Sequence, residues 1–141
     1  HAAVETQRGH NLGRVLWDRP PAPNTGIPGE IGGYTVERLL RAPADGRFQP
    51  VAVIGETVTA GQVVAYVAGV PITAEISGVL RGLLPEGTAV FAGMKSGDVD
   101  PRCQRSHCFS VSDKARAVGG GVLEALLCGL KARGLLPWSQ T

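Results

Sequence analysis

"PADGRFQPVAVIGETVTAGQ" occupies residues 43–62. Within it the strand-length segment "RFQPVAVI" lies between Gly46 and Gly55, and a further glycine, Gly61, leads into "VVAYV". Glycine supplies positive φ at a turn without steric cost, and branched apolar residues favour extended chain. The stretch therefore reads as short strands joined by tight turns. It also recurs: at an offset of 32 residues, Ala42, Gly46, Gly55, Val58, Ala60 and Gly61 fall on Ala74, Gly78, Gly87, Val90, Ala92 and Gly93. Both copies read A-x3-G-x8-G-x2-V-x-A-G, and "VLRGLLPE" takes the place of "RFQPVAVI" in the second.

Two such copies, each unable to bury its apolar face alone, are expected to pack into a flattened pseudo-twofold sandwich of short strands. The repeat resembles the barrel-sandwich hybrid of biotinyl and lipoyl carrier domains, over roughly residues 34–97. In that family the modified lysine sits on the hairpin between the copies. Here the corresponding hairpin, "VAGVPIT" at residues 67–73, contains no lysine, and the chain has only Lys95, Lys114 and Lys131. The resemblance thus implies an unmodified scaffold with no covalently bound cofactor, and Lys95 in "GMKSG" reads as a solvated or anion-facing residue. The expected fold class is mainly β: a barrel-sandwich hybrid with a pseudo-twofold internal repeat, flanked by an N-terminal β-hairpin-like segment and a C-terminal helix. The expected division is residues 1–33 as strands and a Gly/Pro-rich loop, 34–97 as the barrel, and 98–141 as a polar loop and helix.

Composition narrows the function classes. Charged residues make up 18% of 141, the net charge is +2 and no basic run occurs, so a nucleic-acid footprint is missing. No apolar run approaches the roughly 20 residues that cross a bilayer, so no membrane partner is expected. Twenty glycines and ten prolines against seven aromatics favour many turns over a helical bundle. Three cysteines do not form a disulfide framework and fit a reducing, cytoplasmic setting. The chain opens at His1, inside a strand-like pattern and without a signal sequence, so a piece of a longer protein is expected.

Three polar stretches carry the candidate chemistry. In "VETQRGHNLGRVLW", residues 4–17, strand-like ends enclose Arg8, His10, Asn11 and Arg14. The arginines suit forked anion contacts and His10 titrates near neutrality, although a hairpin loop is polar simply because it lies in water. "APNTGIPGEIGG", residues 22–33, reads as a structured loop in which Asn24 and Thr25 could meet a ligand, but it lacks the spacing of phosphate-cradling loops. In the third, residues 95–134, Asp98 and Asp100 flank Val99 and would project the same way from an extended segment, beside Arg102. That pair suits a hard cation or acid and base work; equally, it can be salt-bridged to Arg102 and do nothing else.

Ser112 stands as an N-cap with Asp113 in the first turn, opening a helix over about 113–133. Its apolar positions are Val118, Val122, Leu123, Leu126, Leu127 and Leu130, with Cys128 expected buried on the apolar side. "GGG" at 119–121 asks either for a break in the helix or for something packed too close for a Cβ. Cys103, His107 and Cys108 fall short of the four ligands a structural zinc site wants, so no metal is expected. Cys108, beside His107 and just ahead of the helix, suits a lowered thiol pKa, alongside its reading as an ordinary cysteine.

"VETQRGHNLGRVLW", "PNTGIPG", "RAPADGRF", "SGVLRGLL", "KSGDVDPR" and "SDKARAVGGGVLEA" run in that order from Val4 to Ala125. Together they resemble the accessory protein of the selenium-dependent molybdenum hydroxylase system. Members of that family carry a further N-terminal region, which is therefore an implied partner. The resemblance implies a role in maturing molybdenum hydroxylases, which need a labile selenium or sulfur ligand on their molybdenum cofactor; the hydroxylase or that cofactor, met transiently, is the other implied partner. One reading is a docking or delivery module in which Arg8, Arg14, Arg102 and Lys114, with His10, Asn11, Asn24, Thr25, Lys95 and Ser112, contact an anionic group. A second is a transferase in which Cys108 accepts selenium or sulfur and His107 favours the thiolate. A third is a structural barrel that mediates homo-oligomerisation alone.

Overall fold

At the turn Ala68–Gly69 both residues hold positive φ, 50° and 80°. Two consecutive left-handed residues match the twist of an antiparallel pair, so this turn closes a two-residue hairpin. The computed structural model describes residues 1–136 and divides into two compact units. One is residues 1–26 with the chain from Val111 onward; the other is Ile27–Ser110.

In the first unit β1 (Ala3–Val4) pairs antiparallel with β2 (Val15–Leu16). The second unit holds β3 (Leu39–Arg41), β4 (Gly46–Pro50), β5 (Thr57–Val58), β6 (Val63–Val67), β7 (Val70–Thr73), β8 (Gly78–Leu83), β9 (Ala89–Val90) and β10 (Lys95–Asp100). They form two antiparallel four-stranded sheets, in the orders β3-β10-β8-β5 and β7-β6-β4-β9. Leu40, Leu80 and Val99 from one sheet and Phe48, Val64 and Val67 from the other meet in one core. Among the described residues the protein is thus mainly β, with several antiparallel sheets and one long helix in its C-terminal part.

That helix, α1 (Asp113–Ala132), belongs to the first unit. Ser112 caps it, accepting the Ala115 N–H at 3.1 Å. Gly134 ends it at φ 65°, with the Gly134 N–H on Lys131 O and the Leu135 N–H on Leu130 O, which satisfies the last carbonyls. The three glycines do not break it. Gly121 is buried because the Gly13 carbonyl and Val4 occupy the space a Cβ would need, while Gly119 and Gly120 stand open.

Two expectations for this helix are corrected. Cys128 is exposed, not buried. Val122, Leu123 and Leu126 are also more than half exposed, because α1 meets the hairpin through its small residues, Ala117 and Gly121.

Gly121→Ala should therefore lower stability by about 1–3 kcal/mol, since a backbone carbonyl cannot rotate away. Gly120→Ala should instead raise it by up to about 1 kcal/mol through helix propensity alone. Urea unfolding followed by far-ultraviolet circular dichroism separates the two.

Candidate functional site

The densest polar cluster lies on the sheet β3-β10-β8-β5. Between β8 and β10 the register shifts: Asp98 faces Gly82, but Val99 faces Leu80, which leaves Arg81 as an extra residue. Such a bulge re-aims the side chain it carries. Arg81 Nη1 reaches Asp100 Oδ2 at 3.2 Å. From the other side Arg102 grips the same carboxylate three times, with its backbone N–H at 3.1 Å, Nε at 2.9 Å and Nη2 at 2.7 Å.

Asp100 is only 2% exposed. The hydrogen bonds from Arg102 are the largest cause holding its carboxyl at about 2, below the usual 3.8, against the opposing effect of burial. It stays ionised near neutrality and has no proton to exchange there.

Asp98, two residues away, makes a separate cluster. It pairs with Arg38 Nη2 at 3.6 Å and with Lys95 Nζ at 3.8 Å. Gly82 makes room for it, since a Cβ there would stand 2.5 Å from Asp98 Oδ1. Arg38, 6% exposed, also donates to Gly29 O at 2.9 Å and so ties the loop of residues 27–33 to the sheet. Its Nε is buried without a hydrogen-bond partner.

Of the two carboxylates only Asp100 pairs with Arg102; Asp98 pairs with Arg38 and Lys95, so each has its own two cations.

The sulfur candidate follows on the same unit. A short 3-10 turn, Arg105–Cys108, packs near β8, and the Cys108 thiol donates to Leu80 O at 3.5 Å. His107 Nδ1 is buried without a partner. Cys103 is exposed, at φ 55°. Among the described residues no three His, Cys, Asp or Glu side chains are grouped as a metal ion requires.

The first polar stretch lies in the other unit. Glu5, 8% exposed, accepts the backbone N–H of Gln7 at 2.8 Å and of Ala22 at 2.9 Å, bonds that lower its pKa. Arg8 forks onto Asp113 at 2.7 and 3.1 Å, which places it beside Ser112 and Lys114 at the start of α1. His10, Asn11 and Arg14 are exposed in the hairpin loop. Asn24 Oδ1 accepts the Gly26 N–H at 3.0 Å, a local turn contact, and Thr25 is exposed nearby. Hence Lys95 meets Asp98 and Arg102 meets Asp100 within one unit, and in the other Arg8 meets Asp113, between Ser112 and Lys114 in the sequence.

Arg38 and Arg81 were not among the sequence candidates. The signal for Arg81 was an arginine inside the apolar strand "VLRGLL", and for Arg38 an arginine heading "RLLR".

No family model matches the chain. Over 127 residues, 90% of its length, it is 49% identical to YqeB, an uncharacterized protein of Escherichia coli K12. The chain spans only 24% of that relative. An aspartoacylase family protein from Mesorhizobium loti superposes with a TM-score of 0.40 at 18% identity, covering 45% of this chain and 22% of that one, too weak a likeness to carry an argument. Among the described residues no helix is long and apolar enough to cross a membrane.

The depressed Asp100 pKa fixes a pH dependence. A carboxylate whose folded pKa lies below its unfolded value stabilises the fold above the unfolded pKa and loses that contribution on acidification. The window is from about pH 4 down to about pH 2. Asp100→Asn should flatten acid unfolding across this window by on the order of 2 kcal/mol, and Arg102→Gln should do so in part. Urea midpoints at a series of pH values measure it.

Proposed function

We propose that the chain is an accessory module in the maturation of selenium-dependent molybdenum hydroxylases, working in the cytoplasm, and that it docks the immature enzyme or its molybdenum cofactor. The observation that carries this reading is the pair of charge clusters on one sheet, where Asp98 and Asp100 hold guanidinium groups in place. A cation held in place before binding loses little entropy when an anionic group arrives. Arg81 uses only Nη1 in its pair with Asp100, and Lys95 is about half exposed, so both have donors to offer a phosphate-bearing ligand.

The unit from Ile27 to Ser110 is, on this reading, a barrel-sandwich hybrid built from two copies. In its favour, a shift of 32 residues carries the sheet β3-β10-β8-β5 onto β7-β6-β4-β9 strand by strand. Backbone hydrogen bonds follow the same shift. Gly55 N to Leu80 O has its counterpart in Gly87 N to Phe48 O, and Gly93 N to Ala42 O in Gly61 N to Ala74 O. Even the side-chain bond from Ala60 N to Ser77 Oγ has its counterpart, from Ala92 N to Asp45 Oδ1. At the hairpin where a carrier domain holds its lysine stand Ala68 and Gly69, which favours a scaffold over a swinging arm.

A second reading has Cys108 as a selenium or sulfur acceptor. Its thiolate would attack the terminal selenium of a donor perselenide and release the donor thiolate. The buried, unpartnered Nδ1 of His107 beside it favours this reading, because a buried polar atom without a partner asks for an explanation.

The test is the selenium content of a molybdenum hydroxylase purified from cells with and without the gene. Loss of selenium with the gene is expected. Cys108→Ser should restore it fully if the module only docks, and not at all if Cys108 carries the atom. Unchanged selenium and activity in the deletion strain would overturn both readings.

A further inference from the structure

We propose that Arg105 is a substrate-binding residue beside Cys108, and that it takes the carboxylate of a small anionic selenium or sulfur donor as that donor approaches the thiol. This rests on the reading of Cys108 as an acceptor and names the class of donor it meets. Arg105 and Cys108 are the first and last residues of the 3-10 turn. In a 3-10 helix the side chains of residues i and i+3 eclipse, so the guanidinium and the thiol stand on one edge of the turn. Both also meet the same neighbourhood of the sheet. The Cys108 sulfur is 3.5 Å from Leu80 O, and that carbonyl accepts the Gly55 N–H at 2.7 Å. Arg105 packs on Gly55, where a Cβ would stand 3.2 Å from its Nε.

The guanidinium is held in place yet left without an acid. Its carbon lies 5.6 Å from the centre of the Phe109 ring, within reach of a cation–π contact. Phe109 is itself packed on Gly55, where a Cβ would stand 3.1 Å from its Cζ. Among the described residues no carboxylate pairs with Arg105, whereas Arg38, Arg81 and Arg102 are each committed to Asp98 or Asp100. Arg105 is also exposed, so a ligand can reach its donors. A planar fork of N–H groups matches a carboxylate, and one that folding has already placed loses little freedom when the ligand arrives. A single guanidinium suits a carboxylate, with its one negative charge, better than a phosphate group, which carries up to about two.

Alkylation followed residue by residue with mass spectrometry tests this, using iodoacetate as the carboxylate probe and iodoacetamide as its neutral counterpart. Both reagents attack the same thiolate, so the ratio of their rates at Cys108 cancels any change in thiol ionisation. Arg105→Gln should lower that ratio roughly threefold, the scale of an exposed ion pair, and leave the ratio at Cys128, in the other unit, as it was. Arg105→Lys should keep most of the wild-type ratio, because the charge remains. An unchanged Cys108 ratio in Arg105→Gln overturns the proposal. So does a fall that Cys128 shares, or one that Arg105→Lys shows in full. Failure of the acceptor reading is seen separately, as full restoration of selenium by Cys108→Ser; the alkylation ratio then still decides whether Arg105 binds a carboxylate.

Discussion

A carboxylate that is almost wholly withdrawn from water stays charged only if cations come to it, and Asp100 draws two. Arg81 arrives because the bulge between β8 and β10 leaves it as the extra residue. Arg102 arrives because the chain turns just after β10 and is held there by its own backbone N–H as well as its side chain. That grip fixes the path of the segment that follows. The 3-10 turn at Arg105–Cys108 then lies along β8, with the Cys108 sulfur on the Leu80 carbonyl. One buried charge is thus tied at once to the bulge in the sheet, to the exit from β10 and to the segment that carries the thiol.

Much of the fold was legible because its signals are local. The glycines that needed positive φ and the branched residues between them marked the strands, and Ser112 marked the start of the helix. The hairpin of the first polar stretch was equally readable from its apolar ends. The surroundings of the helix were not. Apolar periodicity says that a face seeks cover, but it does not say which side of the helix the rest of the chain will use. Here the small residues face the hairpin and the leucines face outward, so Cys128 could not be placed from its spacing alone.

The candidate site was less legible, for a related reason. Alternation along a strand can put Asp98 and Asp100 on one face, but it does not say which cations each will meet. Arg81 reaches Asp100 from a bulge in β8, and nothing in "SGVLRGLL" announces where that bulge will fall. Arg38 and Arg81 carry no local sign of their partners, because only the folded chain brings Asp98 and Asp100 to them. The motif "KSGDVDPR" is dense in charge and holds Lys95 and Arg102, but the second cation of each carboxylate lies far away in sequence, at residues 38 and 81.

Fixed ion pairs and exposed leucines suit different tasks. An arginine already held by a buried carboxylate has lost its side-chain freedom before any ligand arrives, so an anion meets a preorganised group rather than a mobile one. Such a surface favours selectivity for shape and charge over strength. The leucine stripe on α1 differs in kind, since burial of apolar area gives strength without direction.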